Sequence, residues 1–298
     1  MRMTKKLTLV VFNPLPQRAR QRRVQALCAA LEAAKRAYIL VATDAQMAIT
    51  VATIRLHLPT VNELIVVGGD GTLHQVVNAL ADSHKALEIG YVPAGTGNDF
   101  ARGWFGKKHS TAGYIERALH GKGELIDIGQ VNDVYFINSV GIGFDGDLTR
   151  RLAGKKSWWP RLTYLTCAVK QLFLYRGGIL QVTGNDVTLQ SLGTEPTLLF
   201  VVANTRYFGA GMLIAPHAQY ADAQLAWVHI KECRLFTKLQ SFSSIYTGRH
   251  LAKSVVTSGH LTREVVKTAN IPMQTDGEYA GCTPATIRCV TNAICMRR

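Results

Sequence analysis

The chain of 298 residues is long enough for one large domain or two ordinary ones. Its apolar share of 47% excludes a disordered chain, and its longest apolar runs, such as residues 198–203, have strand length rather than the roughly 20 residues of a membrane span. The net charge of +14 indicates attraction to polyanions, but charge alone does not choose among nucleic acid, lipid headgroups and nucleotide phosphates.

The N-terminus, MRMTKKLTLVVFNP, has the basic start of a signal peptide, but its apolar part is short and no cleavage pattern of small residues comes after it. We interpret it as the first strand and expect the chain to stay in the cytoplasm. The six cysteines show no C-x-x-C spacing, and several stand in apolar stretches where a free thiol behaves as a small hydrophobic group. We therefore expect neither structural zinc nor a disulfide framework.

The first 128 residues alternate between short apolar runs and amphipathic segments, which is the pattern of a parallel α/β sheet. Strands are predicted at residues 7–12, 38–43, 63–67 and 88–93. Helices are predicted at residues 18–36, at residues 44–58 before Pro59, and where Leu73, Val76, Val77 and Leu80 fall at i, i+3, i+4 and i+7.

After Asp127 the pattern changes to short β-like runs separated by turns, which is typical of a mostly antiparallel β-domain. The runs are DVYFINSVGIGF, GILQVTG, DVTLQSL, TLLFVVAN, LAWVHI, EVVKTA and TIRCVT. Two helices are predicted among them, at residues 157–175 and 235–251. The sequence thus predicts an α/β plus mostly-β fold with two domains, residues 1–128 and residues 129–289.

A glycine-rich turn, GGDGTLHQVV at residues 68–77, comes after the third strand and leads into a helix. Glycines let backbone N–H groups approach a phosphate, and a helix N-terminus adds partial positive charge. Asp70 would repel phosphates unless a cation stood between them, so the functional interpretation is Mg2+ bridged to nucleotide phosphates. The alternative is that Asp70 and Gly71 form a turn and Thr72 caps the helix.

A second glycine-bearing turn, PAGTGNDFAR at residues 93–102, comes after the next strand. Ligands of open α/β sheets bind beside the carboxyl ends of the strands, so Thr96 and its neighbours are candidates for the other side of the same pocket. The alternative is a helix start capped by Asn98 or Asp99. Two such loops in one sheet favour a nucleotide site more strongly than one.

These two loops resemble the signature loops of the diacylglycerol kinase catalytic-domain family, which includes soluble bacterial lipid kinases and the sphingosine and ceramide kinases. The resemblance covers nearly the whole chain, through FINSVGIGFD at residues 136–145, NTRYFGAGMLIAP at 204–216 and TDGE at 275–278. GGDG also occurs in NAD kinases and phosphofructokinases, whereas PAGTGNDFAR favours the lipid kinases.

The resemblance implies a nucleotide-binding α/β domain, a β-rich lipid-substrate domain and a cleft between them, with the chain returning to the first domain from about residue 290. It implies ATP and Mg2+ as cofactors and transfer of the γ-phosphate to a hydroxyl of a diacylglycerol-like or related lipid. The residues implied to hold ATP are Asn13, Thr43, Gly68, Gly69, Asp70, Gly71, Thr72, Leu73, His74 and Thr96.

The resemblance also implies an acid pair in MQTDGEY, residues 273–279. Glu278 is the first choice for the general base that accepts the proton of the lipid hydroxyl, and Asp276 is the second. Together with Asp70 they are the predicted catalytic residues. The residues alone favour a plain hairpin here, because Asp-Gly between two β-like runs is a strong turn signal.

A structural Mg2+ site is implied at residues 216–228. Asp222 would give the carboxylate, and Gln219 and Gln224 would give backbone carbonyls, which are suitable ligands for a hard cation. Ala223 stands where relatives commonly have Gly after this Asp, which puts the geometry of the loop in question.

Two further departures lie near the implied ATP site. NPLPQRAR, residues 13–20, replaces the usual Ser-Gly pair after Asn-Pro, although its arginines could compensate by meeting phosphate. Gln75 replaces the usual Glu. The changed loop keeps open a second function, that of a catalytically silent nucleotide-binding or lipid-binding protein of the same fold.

The segment KKSWWPRLTYLTCAVKQLFLYR, residues 155–176, has the composition of a chain that rests on a bilayer surface. We expect the lipid substrate to be met there by peripheral contact with the inner membrane face; the alternative is that Trp158 and Trp159 pack between the domains. No nucleic-acid-binding motif accompanies the basic charge, so no nucleic-acid partner is expected. The oligomeric state, monomer or homodimer, is left open.

Overall fold

The computed structural model describes residues 7–81, 83, 87–152, 160–184 and 187–298. The chain divides into two compact units: unit 1 extends to Ile128 and includes Thr291–Arg298, and unit 2 is Gly129–Val290. The predicted class, α/β followed by mostly β, is confirmed by the order of the elements. Among the helices in these ranges, none combines the length and the apolar character that crossing a membrane requires.

Unit 1 alternates strands with helices. The strands are β1 (Leu7–Phe12), β2 (Ala37–Ala42), β3 (Glu63–Gly68) and β4 (Glu88–Pro93). The helices are α1 (Arg18–Ala33), α2 (Met47–His57), α3 (Asp70–Leu80), α4 (Asp99–Phe105) and α5 (Thr111–His120). The strands pair in parallel in the order β2-β1-β3-β4, so the loops after β1, β3 and β4 leave the same edge of the sheet.

The burial of apolar residues in β3 and α3 explains why the strands form a sheet covered by helices. Every residue of β3 is buried, which is typical of a central parallel strand covered on both faces. Helix α3 buries Leu73, Val76, Val77 and Leu80, so the predicted helical periodicity is confirmed.

Unit 2 contains most of the β-structure. The strands from the boundary onward are β5 (Gly123–Val131), β6 (Val134–Phe136), β7 (Ser139–Gly143), β8 (Gly178–Ile179), β9 (Val182–Gly184), β10 (Pro196–Ala203), β11 (Leu225–Lys231), β12 (Val256–Leu261), β13 (Arg263–Val266), β14 (Pro272–Thr275), β15 (Glu278–Cys282) and β16 (Ala285–Arg297). The helices are α6 (Phe144–Leu152), α7 (Pro160–Leu174), α8 (Val187–Gln190) and α9 (Leu235–Ile245), with 3-10 turns at Ser191–Thr194 and Arg249–Ala252.

Strands β12-β11-β10-β7-β14-β15 form one antiparallel sheet, and β13 lies between β9 and the start of β16. Phe200 and Trp227 belong to one core of this unit, and Phe144 and Ile245 belong to a second core beneath α6, α7 and α9. The end of β16 belongs to unit 1, where Cys295 pairs in parallel with Glu88 of β4.

Some predicted elements differ from the structure. DVTLQSL was predicted as a β-like run, but its described part forms α8 and a 3-10 turn. Leu189 and Leu192 are both buried and are three residues apart, which suits a helix. In so short a run, the apolar spacing in the sequence does not distinguish a helix from a strand. The helix predicted at 235–251 ends at Ile245, and Gly248 takes a left-handed φ of 71° before the 3-10 turn. Trp158 and Trp159 lie outside the described residues.

Candidate active site

The two glycine-bearing turns of unit 1 touch through their backbones. A Cβ atom added to Gly69 would lie 2.8 Å from the Cα of Gly95, and one added to Gly95 would overlap Gly69. The N–H of Ala94 also donates to the carbonyl of Gly68 at 2.6 Å. Only residues without side chains allow this approach, so the glycines place both turns at one point of the sheet edge.

Asp70 clamps the second turn to the first. Its carboxylate oxygens accept the backbone N–H groups of Asp99 and Phe100, each at 3.0 Å, at the start of α4. A carboxylate at a helix N-terminus satisfies donors that have no partner inside the helix. Burial, with the charges of Asp70 and Asp99, raises the pKa of Tyr91, whose hydroxyl donates to the carbonyl of Gly68 at 3.3 Å.

Asn98 shapes the turn itself. It adopts a left-handed φ of 52°, its side-chain oxygen accepts the N–H of Gly95 at 2.8 Å, and its side-chain nitrogen donates to the carbonyl of Gly95 at 3.0 Å. This reciprocal pair closes the turn and leaves Thr96 exposed at its tip.

Arg20 and Arg23, both on α1, donate hydrogen bonds to the loops after β1 and β4. Arg20 donates to Asn13 Oδ1 at 3.1 Å and to the carbonyl of Ala94 at 3.2 Å, and Arg23 donates to the carbonyl of Pro93. Burial lowers the pKa of the Arg20 guanidinium. The departure from the family's Ser-Gly pair thus brings the loop after β1 onto the loop after β4.

The remaining predicted nucleotide residues differ in exposure. Leu73 and His74 are buried in α3, and the N–H of Leu73 donates to the carbonyl of Gly69. The Thr72 hydroxyl oxygen is buried and has no hydrogen-bond partner in the described part of the chain. Thr43, at the end of β2, is buried, and its N–H donates to the carbonyl of Phe12.

Gln75 also has a contact that the sequence did not predict. Its side-chain nitrogen donates to the carbonyl of Asp44 at 3.0 Å, which joins α3 to the loop after β2. A Glu at this position has no N–H to donate, so the amide makes a bond that the family's usual residue cannot make.

In unit 2 the predicted acid pair lies on a tight hairpin. Asp276 and Gly277, with φ values of 48° and 88°, form the two-residue turn between β14 and β15, as the Asp-Gly signal predicts. The Asp276 carboxylate accepts the N–H groups of Ile137 at 2.9 Å, Asn138 at 2.8 Å and Ser139 at 3.1 Å. Asp276 therefore anchors the turn to the start of β7.

The motif residues of unit 2 converge on this anchor. The carbonyl of Asn138 accepts the N–H of Asn204 at 2.8 Å, and its side-chain oxygen accepts the Thr205 hydroxyl at 3.1 Å. The sequence motifs FINSVGIGFD and NTRYFGAGMLIAP alone did not indicate a role for these residues. Their proximity to Asp276 depends on strands that are far apart in sequence, so spacing alone could not have revealed it.

Glu278 begins β15 and is exposed, and its side chain makes no hydrogen bond or ion pair among the described residues. Behind it, Gln274 accepts the N–H of Gly277 at 2.7 Å and donates to Asp145 Oδ2 at 2.6 Å. Burial raises the pKa of Asp145 to about 6, against the lowering effect of the Gln274 bond. Asp145 and Gln274 are polar residues that the sequence did not single out.

The predicted structural metal loop is an exposed turn. Asp222 Oδ1 accepts the N–H of Gln224 at 3.2 Å, Gln219 and Gln224 are exposed, and Ala223 takes a left-handed φ of 61°. Across the described ranges, no group of three or more His, Cys, Asp or Glu side chains could hold a metal. A cation here would depend on one carboxylate and backbone carbonyls.

Two family models match the chain. Residues 8–131 match the diacylglycerol kinase catalytic domain, and residues 138–297 match the YegS C-terminal NAD kinase beta sandwich-like domain. The chain therefore belongs to the diacylglycerol kinase catalytic-domain family of lipid kinases.

Named relatives agree with this assignment. A diacylglycerol kinase from Bacillus subtilis (strain 168) is 27% identical over 223 residues, covering 74% of this chain and 72% of the relative. One from Mycobacterium tuberculosis (strain ATCC 25618 / H37Rv) is 27% identical over 250 residues, covering 79% and 76%. A crystal structure of a diacylglycerol kinase from Bacillus anthracis (strain Sterne) is similar in fold, with a TM-score of 0.69, 19% identity and coverage of 98% and 96%.

Proposed function

We propose that the protein is an ATP- and Mg2+-dependent lipid kinase that transfers the γ-phosphate to a hydroxyl of a diacylglycerol-like lipid met at a membrane surface. The observation that carries the proposal is the backbone contact of Gly69 and Gly95, which joins two phosphate-type turns at the carboxyl ends of β3 and β4. Family membership supplies the reaction class, and this geometry supports a nucleotide site in unit 1.

The residues of the turns suit a triphosphate. Helix α3 begins directly after Gly69, so the partial positive charge of its N-terminus lies at this turn, and glycine lets phosphate oxygens approach the backbone. Asn13 and Thr96 border the same edge, and Arg20 holds Asn13 in place. When bound, Mg2+ would neutralise phosphate charge. Asp70 and its neighbour Asp99 supply carboxylates, the ligand type that suits such a hard cation.

Glu278 is the proposed proton acceptor in unit 2. As the lipid hydroxyl oxygen forms its bond to the γ-phosphorus, the Glu278 carboxylate takes the hydroxyl proton, and ADP leaves. Glu278 is exposed, while Asp276 has both oxygens committed to backbone N–H groups. We therefore assign Asp276 to positioning the turn and Glu278 to the chemistry.

The test is transfer of label from γ-labelled ATP to a total lipid extract in the presence of Mg2+, and then identification of the product. We expect a labelled lipid with the native chain and a loss of label with Asp70→Ala and with Glu278→Ala. Equal labelling by both variants would refute the mechanism. ATP binding without any labelled lipid would favour the silent binding protein of the same fold.

A further inference from the structure

An apolar face in unit 2 has no function in the proposed mechanism. Six of the fourteen exposed large hydrophobic side chains in the described part of the chain lie on α7 and α9. We call them the α7/α9 face: Val169, Phe173, Leu174, Leu235, Phe236 and Leu239. Single exposed apolar residues are ordinary, but a cluster on neighbouring helices marks an interaction surface.

The face is built on fixed helices. Val169 and Phe173 are four residues apart on α7, as are Leu235 and Leu239 on α9, so each pair lies on one side of its helix. The other sides are buried through Leu172 and Ile245. Phe236 is 71% exposed and Phe173 is 53% exposed, although both belong to helices that pack on the core.

Hydrogen bonds join the end of α7 to the start of α9. Lys238 Nζ donates to the carbonyl of Tyr175 at 3.1 Å, and the N–H of Gly177 donates to Glu232 at 3.0 Å. Lys238 and Glu232 also form an ion pair with each other, so the acid beside the face is neutralised. The exposed side chains of the last turn of α7 and the first turn of α9 are therefore presented together.

The basic residues around the α7/α9 face indicate which partner it binds. Lys170, Arg176 and Arg234 are exposed beside the face, and residues 148–185 and 233–263 contain no Asp or Glu. A second copy bringing the same face would oppose one basic rim with another. An anionic bilayer offers negative headgroups at the rim and hydrocarbon beneath, which matches both parts of the surface.

We propose that the α7/α9 face is a docking surface for a membrane rich in anionic lipid. The proposal rests on the proposed function only in that the substrate is a membrane lipid. The face lies flat at the headgroup boundary with its phenylalanines inserted and its basic residues on the phosphates.

The experiment measures co-sedimentation of the full chain with vesicles of pure phosphatidylglycerol and of pure phosphatidylcholine, without ATP. The test variant replaces Phe173, Phe236 and Leu239 by Ser, and a matched control replaces Ile49, Leu56 and Leu125, which are exposed on unit 1. A charge variant carries Lys170→Gln with Arg234→Gln, and its control carries Lys108→Gln with Lys122→Gln, both exposed on unit 1.

The native chain is expected to prefer phosphatidylglycerol. The Ser variant should bind about ten-fold or more weakly, and the charge variant about 25-fold more weakly, from about five-fold for each basic residue. Both controls should bind like the native chain, and all variants should keep its unfolding midpoint. Equal binding by the variants and the native chain, or no binding by the native chain, would overturn the proposal.

Two further measurements separate the alternatives. A native dimer that the Ser variant converts to a monomer, with vesicle binding unchanged, would assign the face to a second copy and overturn membrane docking. Phosphorylation of a short-chain lipid dissolved in water should be unaffected by the Ser variant. If vesicle binding depends on the face but no lipid is ever phosphorylated, docking stands and the proposed function fails.

Discussion

Asp70 in unit 1 and Asp276 in unit 2 do the same local work in different settings. Each carboxylate accepts backbone N–H groups from a segment far along the chain, from residues 99 and 100 in one case and 137–139 in the other. The groups that the two loops present are different, since Asp70 leads into the N-terminus of α3, whereas Asp276 leads into the exposed Glu278. In unit 2 the acid that shapes the loop is thus distinct from the group that the loop presents, whereas in unit 1 Asp70 shapes its loop and is also the proposed Mg2+ contact.

The largest expected effect is a loss of phosphoryl-transfer rate when Glu278, rather than Asp276, is replaced. Glu278→Gln removes the proton acceptor without removing a described contact, so the rate of phosphoryl transfer should fall by about a thousand-fold. The unfolding midpoint should not change. Glu124→Gln, an exposed acid of unit 1, is the control. A Glu278→Gln enzyme with native turnover would remove Glu278 from the mechanism.

Asp276→Ala should act on stability first. Three backbone N–H groups lose their acceptor, which costs about 3 kcal/mol of the free energy of unfolding. Asp276→Asn should cost less, because its amide oxygen still accepts. Denaturant unfolding measures both, with Asp133→Ala, an exposed turn residue of the same unit, as control. Native stability of Asp276→Ala would mean that these bonds do not hold the hairpin.

The pH dependence of the stability of unit 2 should reflect the titration of the Asp145 carboxyl group. Its pKa is raised to about 6 in the folded chain, so its contribution to stability is fully present below its unfolded pKa and is lost as the pH rises through about 6. Asp145→Asn does not titrate. Between pH 4 and pH 7, the free energy of unfolding of the variant should therefore rise relative to that of the native chain by about 2 to 3 kcal/mol. A difference in unfolding free energy that is independent of pH would contradict the buried, titrating carboxylate.

The smallest effect tests the loop at Asp222. Ala223 holds a left-handed φ of 61°, which strains a residue with a Cβ. Ala223→Gly should raise the free energy of unfolding by about 0.5 to 1 kcal/mol, measured by denaturant titration. Ala221→Gly, in the same exposed loop without a left-handed φ, is the control and should not stabilise. Destabilisation by Ala223→Gly would show that the alanine is adapted to this turn.

The sequence predicted most of the fold because its signals are local. The continuous apolar strand before Gly68, the periodicity of α3 and the Asp-Gly hairpin all appear in the structure. The prediction for DVTLQSL was wrong because the apolar spacing of so short a run cannot distinguish helix from strand. The sequence also missed α6, which begins at the end of a glycine-rich β-like motif.

The candidate site was predictable only in part. The glycines and acids could be named from the motifs, but the acceptors and donors that they meet could not. The bonds of Asp70 to Phe100 and of Asp276 to Ile137 join segments 30 and 139 residues apart. Arg20 was considered as a phosphate contact, and its bonds to Asn13 and Ala94 were not indicated by the sequence.

The central claim is that contact between the two glycine turns forms the nucleotide site. Titration of ATP with Mg2+ into the native chain, Gly95→Ala and Gly193→Ala tests it most directly. An added Cβ at Gly95 overlaps Gly69, whereas one at Gly193 approaches no atom closer than 3.8 Å. The account predicts native affinity for Gly193→Ala and lost affinity for a folded Gly95→Ala. Native ATP affinity in Gly95→Ala would contradict it.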